Sequence, residues 1–314
     1  MVLPCFGDSK SAQELCHEMN SLEITPKAIV ILDDSMGIDH YDYLPDNAFV
    51  VRATIHLGQQ RLLTQFFRHG LADLFRVNDN DVIVVMDSDG EDKVGHIPIL
   101  IEHLSRNQCS LVLSRRASRK STTKFKFGYI AFRLLSKFLT GKSVNSGTFS
   151  ASNWNWLKIS VQNKSFNASF SGGLIAAPGN KGSVKLDRGN RRYGVPKVST
   201  NGLVQYALDL FVSMGRLIAI RIFFYLMFSV LLSIVVIIAI LALRILELTV
   251  PGYASIFIVL IFQTIGLLLV LFLGSLQIER LLEVREPAAT FSVVIHGKSK
   301  HLLVHPAGVE PTTF

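Results

Sequence analysis

The sequence is poor in cysteine, with Cys5, Cys16 and Cys109 as the three in 314 residues. They are odd in number and far apart, which excludes a disulfide framework and a zinc site built from closely spaced thiolates. The first residues also lack the basic stretch and apolar run of a secretory signal. We therefore expect reduced thiols and a polar body that stays on the cytoplasmic side of a membrane.

Charge is absent from two long segments. Residues 222–243 contain 20 apolar residues of 22, and residues 253–276 contain 18 of 24. As helices they would measure about 33 and 36 Å, enough to cross a hydrocarbon core of about 30 Å. Pro251 and Gly252 lie in the connection and favour a turn. We predict a two-span hairpin, since two such runs seldom occur together in the core of a soluble protein.

Basic residues flank this hairpin on one side. Arg216 and Arg221 precede the first span, Arg280 and Arg285 follow the second, and Arg244 lies in the connection as a counter-example. The balance favours cytoplasmic ends for both spans. We expect a two-span protein of a bacterial inner membrane, in contact with membrane lipids and able to form a homo-oligomer through its spans.

The segments next to the spans are less apolar. Residues 201–221 predict an amphipathic juxtamembrane helix, which lies either along the membrane interface or on the soluble core. Its apolar positions are Leu203, Ala207, Leu210, Phe211 and Met214. Residues 277–314 are expected to form a partly disordered cytoplasmic tail with a short strand at 291–295. We expect deletion of the chain beyond residue 285 to leave activity intact.

Without the two spans, the hydrophobic fraction falls from 49% to about 43%, close to that of ordinary globular proteins. Disordered and collagen-like classes are excluded. Residues 1–200 then form one domain, in which short apolar runs alternate with helical stretches. This order predicts an open, mostly parallel α/β sheet that binds ligands beyond the carboxyl ends of its strands. The predicted strands are 28–32, 49–51, 81–86 and 110–113, and the predicted helices are 11–20, 59–74, 97–106 and 127–139.

Acidic residues follow two of these strands. Asp87, Ser88 and Asp89 come directly after the strand at 81–86, and Gly90 allows the chain to turn there. Paired carboxylates in such a loop suit Mg²⁺ or Mn²⁺ with substrate phosphates, although solvated turn residues have the same pattern.

A second acidic pair, Asp33 and Asp34, follows the strand at 28–32. Carboxylates at this point suit the base or ribose hydroxyls of a nucleotide, and an ordinary strand-terminal turn is the alternative.

The order of these motifs resembles family 2 glycosyltransferases of the GT-A fold. Within that family it is similar to the polyprenyl-phosphate glycosyltransferases related to dolichol-phosphate mannose synthase and bacterial GtrB-type enzymes. The resemblance covers about residues 1–285 and ends in the helical hairpin. It rests on residues 2–4, 31–35, 56–61, 86–92 and 116–119.

The resemblance implies a donor-nucleotide site beside a metal site. The residues it assigns to the nucleotide are Pro4, Asp8, Asp33, Asp34, Gln60, Asp87 and Ser88. Those it assigns to Mg²⁺ or Mn²⁺ are Asp89, Asp87 and Glu91.

The chain departs from the family pattern at three places. His56 stands where Asn is common, and residues 5–8 replace the usual Tyr-Asn-Glu. Thr148 stands where many relatives have an Asp. The missing carboxylate removes a general base, but a lipid phosphate is already anionic and needs none, whereas a sugar hydroxyl benefits from one.

Basic runs supply cations for phosphate. Residues 115–126 contain six basic residues and no acid, and residues 181–197 contain six basic residues and one acid. By the resemblance, Asp89, Arg116 and Arg119 are the catalytic candidates, and Arg116 and Arg119 would hold the acceptor phosphate. Arg191, Arg192 and Lys197 are candidates for the diphosphate or lipid head groups. The alternative is a basic face attracted to anionic lipid. Nucleic acid is not expected, since no binding motif accompanies the charge.

These residues predict a metal-dependent inverting glycosyltransferase that moves one sugar from a nucleotide-diphosphate sugar to a polyprenyl phosphate. A processive polysaccharide synthase is disfavoured, because the chain lacks a Gln-x-x-Arg-Trp motif and has two spans. A degenerate, membrane-anchored domain that binds nucleotide sugar or lipid without turnover is the remaining alternative. The altered first-strand motif and Thr148 favour it.

Overall fold

The computed structural model describes residues 1–116, 134, 136–141, 146–194, 200–246, 252–281, 291–295 and 298–300. The strands within these ranges are β1 (Val2–Cys5), β2 (Ile29–Asp33), β3 (Ala48–Ala53), β4 (Val82–Val85), β5 (Leu111–Arg116), β6 (Ser146–Asn153), β7 (Lys181–Leu186), β8 (Phe291–Ile295) and β9 (Lys298–Lys300). They form a single sheet in the order β7-β5-β6-β4-β1-β2-β3-β8-β9.

The helices cover both faces of this sheet and extend the chain beyond it. They are α1 (Ser9–Asn20), α2 (Gln59–Gln65), α3 (Leu71–Leu74), α4 (Ile97–Arg106), α5 (Trp154–Ser160), α6 (Ser165–Ala168), α7 (Phe170–Ala176), α8 (Thr200–Ser213), α9 (Gly215–Ile245) and α10 (Tyr253–Leu281). A π-helical turn, Phe66–Gly70, joins α2 to α3, and a 3₁₀ turn, Val94–His96, precedes α4. Residues 136–140 are also helical.

The centre of the sheet is parallel. Strand β1 pairs in parallel with both β2 and β4, and β2 pairs in parallel with β3. Strand β6 enters antiparallel between β4 and β5. The open, mostly parallel α/β sheet predicted from the sequence is confirmed, and the carboxyl ends of β1, β2, β3 and β4 lie along one edge.

The central strands are largely apolar because their two faces contribute to different cores. In β2, Val30 and Leu32 belong to a core with Phe66 and Trp154. Ile29 and Ile31 belong to a second core on the opposite face. Burial on both faces explains why these strands lack the polar alternation of a half-exposed strand.

The two long apolar helices pack against each other in antiparallel order. The ring of Phe223, early in α9, lies 5.8 Å from the ring of Phe272, late in α10. Both helices are long and apolar enough to cross a membrane, and almost none of the apolar surface in either is buried within the protein. The first begins at Gly215, seven residues before the predicted start.

The chain on either side of this hairpin returns to the same core. Leu210 and Met214 precede α9 and are buried there, while Val204 and Leu208 on α8 are exposed. Phe291 follows α10 and is 1% exposed, with its ring 6.0 Å from that of Phe66. Both ends of the hairpin therefore lie on the side of the α/β body.

Candidate active site

Asp33 closes β2 and is fully buried. One carboxylate oxygen accepts a hydrogen bond from Arg52 Nε at 2.7 Å, and the other accepts one from the backbone N–H of Ser35 at 2.9 Å. Arg52 also donates to the backbone carbonyl of Asp39 at 3.3 Å. The ion pair between Asp33 and Arg52 thus joins the ends of β2 and β3. Of its two side chains, that of Arg52 is the more exposed.

Asp34 fixes the loop that leads into α2. Its two oxygens accept the backbone N–H groups of Leu57 and Gly58, each at 2.8 Å. Burial raises the pKa of Asp34, and these two hydrogen bonds act in the opposite direction. Gly58 has a φ of +76°, a backbone conformation that favours glycine. The carboxylate is held by its own chain before any ligand binds.

His56 extends outward from Asp34. Its Nδ1 lies 3.0 Å from an Asp34 carboxylate oxygen and 3.3 Å from the Asp34 carbonyl oxygen. Because both neighbours are acceptors, Nδ1 carries the proton and Nε2 is the ring's second polar atom. The half-exposed ring lies 4.9 Å from that of Phe6, at the end of β1. The residue that replaces the family's Asn therefore lies at the same sheet edge as the acidic pairs.

The two glutamines at the start of α2 have different partners. Gln59 Nε2 donates to Asp87 at 2.6 Å and lies 3.4 Å from Thr148 Oγ1. The Gln60 amide oxygen accepts from Ser169 Oγ at 3.0 Å and from the backbone of Ser171 at 2.9 Å. Gln60, the predicted donor residue, thus bonds to the start of α7, and its neighbour Gln59 reaches Asp87 after β4.

We call residues 87–92 the acidic loop; it follows β4 at the same edge. Asp89 accepts the backbone N–H of Glu91 at 3.0 Å, and burial raises the pKa of its carboxyl group. Ser88 is buried. Asp87, Asp89 and Glu91 are partly exposed and aim their carboxylates at one group of cations.

Those cations belong to residues 188–192, which we call the arginine clasp. Arg188 donates to Glu91 at 2.7 Å and to Asp92 at 2.9 and 3.3 Å, and it lies 3.5 Å from Asp87. Burial alone would lower the pKa of Arg188, but its hydrogen bonds to Asp92 and the charges of the three acids raise it. Arg188 is therefore a permanent cation at the centre of the acidic loop.

Arg191 joins the acidic loop to the end of β1. Its guanidinium group donates to both oxygens of Asp8, at 2.7 and 2.6 Å, and lies 3.5 Å from Asp89. The backbone N–H of Arg192 donates to the Asp89 carbonyl oxygen at 3.1 Å. A Cβ atom on Gly90 would lie 2.5 Å from the Arg192 side chain, so glycine permits this close approach.

The Arg192 side chain points toward α1. It donates to Glu14 at 3.2 Å and to Glu18 at 2.7 Å, and Tyr193 also donates to Glu14. Arg192 therefore anchors the clasp, whereas Arg188 and Arg191 contact the carboxylates of the acidic loop.

The remaining predicted residues divide between described and undescribed parts of the chain. Pro4 is buried in β1, and Arg116 ends β5. The Arg116 side chain, Arg119 and Lys197 lie outside the described residues. Across the ranges that the structure describes, His, Cys, Asp and Glu side chains form no group of three or more placed to hold a metal ion.

Sequence reasoning did not single out Gln59 or Arg188. The sequence feature that points to Arg188 is the high density of basic residues in 181–197. That density does not indicate which of the basic residues contacts the acidic loop. Its partners lie 96 to 101 residues earlier in the chain.

Residues 1–165 match the model of the family described as glycosyl transferase family 2. No protein of curated function matches the chain's sequence.

Several solved structures are similar to this chain at low identity. Glucosyl-3-phosphoglycerate synthase from Mycobacterium tuberculosis, in complex with Mn²⁺ and UDP-glucose, is 16% identical over 68% of this chain and 78% of that one, with a TM-score of 0.45. The same enzyme with Mg²⁺ and UDP is 15% identical over the same shares, with a TM-score of 0.39. S. aureus TarS 1–349 in complex with UDP-GlcNAc is 12% identical over 70% and 65%, with a TM-score of 0.39.

Proposed function

Because the chain belongs to glycosyl transferase family 2, and is therefore a glycosyltransferase, we propose that it transfers one sugar from a nucleotide-diphosphate sugar to a polyprenyl phosphate. The reaction inverts the anomeric carbon, depends on a divalent metal and takes place at the cytoplasmic face of a membrane. The observation that carries the proposal is an acidic loop covered by arginines at the carboxyl edge of the sheet, in a chain that continues into two long apolar helices.

The acidic loop and the clasp suit a donor diphosphate. Asp87, Asp89 and Glu91 offer carboxylate oxygens, the ligands that Mg²⁺ and Mn²⁺ prefer, and guanidinium groups already lie against these oxygens. When bound, such an ion supplies positive charge to the departing diphosphate. Arg188 and Arg191 lie beside the same carboxylates and can offer their N–H groups to phosphate oxygens. Gln59 donates to one Asp87 oxygen, and Arg188 lies against the other.

The acceptor chemistry fits the absence of an acid at position 148. An oxygen of the lipid phosphate attacks the anomeric carbon of the sugar. The new carbon–oxygen bond forms as the bond to the diphosphate breaks, and the nucleoside diphosphate leaves. The attacking oxygen is already anionic near neutral pH, so Thr148 need not remove a proton. Arg116 and Arg119 hold the acceptor phosphate in this proposal.

The apolar hairpin accounts for a lipid acceptor. In this proposal α9 and α10 span a bacterial inner membrane, so the body to which both ends return lies at the bilayer surface. A polyprenyl phosphate presents its head group there. The net charge of +8 favours attraction to anionic head groups.

The direct test is sugar transfer into lipid. The purified full chain is incubated with labelled UDP- and GDP-sugars, undecaprenyl phosphate and Mg²⁺ or Mn²⁺, and the chloroform-soluble label is counted. We expect one donor of the panel to give product, and chelation by EDTA to abolish it. No lipid-linked label with any common donor would refute the proposed acceptor.

Asp89→Ala tests the metal assignment. We expect turnover to fall by at least about 100-fold, because the carboxylate that would face the diphosphate-bound ion is lost. Asp46→Ala is the matched control, since Asp46 is an exposed turn residue and should keep the normal rate. Normal rates for Asp89→Ala would remove Asp89 from the metal site.

A second candidate is a binding protein without turnover. Thr148 in place of an acid, and acidic-loop carboxylates that are paired with arginines, favour it. Donor binding by calorimetry, with neither hydrolysis nor transfer, would support this candidate.

A further inference from the structure

The helical segment formed by residue 134 and residues 136–140 has a reversed pattern of polarity; we call it the Phe138 segment. Its buried residues are hydroxylated: Ser136 is 0% exposed and Thr140 is 4% exposed. Two of its three exposed residues are apolar: Leu134 is 60% exposed and Phe138 is 59% exposed, one helical turn apart, and the third is Lys137. A helix that faces water carries the opposite arrangement. Buried hydroxyls, two exposed apolar side chains and one exposed lysine, which can keep its charge in water, fit the boundary between an apolar and an aqueous medium.

The Phe138 segment is attached to the first turns of α9. The Phe138 carbonyl oxygen accepts hydrogen bonds from Arg221 Nη1 at 3.2 Å and from Tyr225 Oη at 3.1 Å. The rings of Phe138 and Tyr225 stack with centroids 5.1 Å apart and planes at 14°. Gly141, with a φ of +73°, leaves room for the Arg221 guanidinium group. The end of this short helix is thus capped by side chains of the apolar helix.

The exposed face of the segment continues onto the exposed face of α9. Phe224 neighbours Tyr225 in sequence and Phe228 lies one turn further along, and both are largely exposed. Tyrosine and arginine beside such a surface are typical of the boundary between head groups and acyl chains. If this surface faced water, the exposed rings of Phe138, Phe224 and Phe228 would have no apolar surroundings.

We propose that the Phe138 segment lies in the interfacial layer of the bilayer, with Leu134 and Phe138 among the upper acyl carbons. The inference rests on the proposed membrane-spanning role of α9. The occupant of this face is the phospholipid surface itself.

Depth-dependent quenching tests the proposal. The native thiols are buried, so Leu134→Cys and Phe138→Cys can each be labelled selectively with the fluorophore NBD. The full chain is reconstituted in phosphatidylcholine/phosphatidylglycerol vesicles with or without a lipid that carries a nitroxide high on its acyl chain. We expect about two-fold quenching at positions 134 and 138, as for groups buried about 5–10 Å into the interface.

Two matched variants make the outcomes distinct. Ile159→Cys reports on an exposed apolar side chain of α5 and should not be quenched. Helix α5 begins beside the start of β4, at the end of that strand away from the acidic loop. Phe228→Cys reports on α9 within the bilayer and should be quenched. Labels at 134 and 138 that behave like the one at 159, while 228 is quenched, would overturn this inference and leave the membrane spans in place. No quenching at 228 would overturn both.

Discussion

Arg188 pairs with three acids in a small volume. Glu91, Asp92 and Asp87 all lie within 3.5 Å of its guanidinium group, and Asp92 is buried. A cation at this point lets the acidic loop fold before a metal or a donor arrives. Without it, the three carboxylates would repel one another where water does not fully screen them.

Arg188→Ala is therefore expected to destabilise the body by about 3 kcal/mol, as for loss of one partner of a buried ion pair. Arg188→Lys keeps the charge but loses the forked donor geometry, so it should give an intermediate loss. The measurement is denaturant unfolding of the body in detergent. Arg106→Ala is the control, because that arginine forms an exposed pair with Glu102 and should cost less than about 0.5 kcal/mol. Equal losses at the two positions would contradict the role given to Arg188.

The thiols provide a second prediction at this scale. Burial raises the pKa of Cys5 to about 11 and that of Cys16 to about 12. The reactive thiolate is thus scarce at neutral pH and increases only as the pH rises toward these values. We expect neither thiol to react with a disulfide reagent at pH 8 until a denaturant is added. The assay is absorbance of released thionitrobenzoate, and fast labelling of the native chain would contradict the burial of these thiols.

The sequence located the acidic residues because each pair follows an apolar run, but it did not show their partners. The nucleotide contact of Asp34 stays a prediction, and what the sequence did not show is that its two oxygens accept backbone N–H groups more than 20 residues along the chain. Gln59 and Gln60 are adjacent and identical in type. Their different contacts depend on the direction in which α2 leaves the sheet, and no local pattern records that direction.

Among the elements, strands with uniform apolar runs were predictable and strands with small polar residues were not. Strands β2 and β4 consist largely of Val and Ile, and burial on both faces leaves this pattern in the sequence. Strand β6 is rich in serine, yet Ser150 and Ser152 are buried between β4 and β5. Strand β6 takes its place in the sheet by pairing with β4 and β5. The strand propensities of its own residues do not reveal that pairing. The single helix predicted at 59–74 is interrupted by the π-helical turn Phe66–Gly70.

Strand β8 shows that part of the C-terminal tail belongs to the folded α/β body. It pairs antiparallel with β3, and Phe291 lies against Phe66 in the core. Phe291→Ala should cost about 3 kcal/mol through the cavity it leaves, whereas Phe291→Leu should cost about 1 kcal/mol. A chain that ends at Arg285 should unfold at lower temperature than the full chain, and one that ends at Lys300 should not. Equal melting midpoints for both truncations would show that β8 contributes nothing.

At the scale of the whole molecule, the α/β body is completed from both sides of the apolar hairpin. Met214 enters the core just before α9, and Phe291 enters it after α10. The sequence separates a basic, water-compatible body from two apolar helices, and the structure retains this division. The structure also shows that the body is not one continuous stretch of chain, because the 76 residues 215–290 separate Met214 from Phe291.

This arrangement predicts how a soluble form of the body can be made. We expect a chain that simply ends at Ile222 to aggregate without detergent, because it lacks β8 and leaves the edge of β3 and the face of Phe66 exposed. Replacing residues 223–281 by a flexible Gly/Ser linker of about 20 residues, with a root-mean-square span of about 25 Å, should retain β8 and give a soluble monomer.

Size-exclusion chromatography in detergent-free buffer compares these two chains directly. Calorimetry with UDP and GDP then tests whether the linked form keeps its donor site, since the acidic loop and the arginine clasp both lie before the replaced segment. Because the linked form has no membrane spans, it should bind the nucleotide with the affinity of the full chain while its rate with polyprenyl phosphate falls. An equally soluble and stable chain ending at Ile222 would show that the core closes without its last strand.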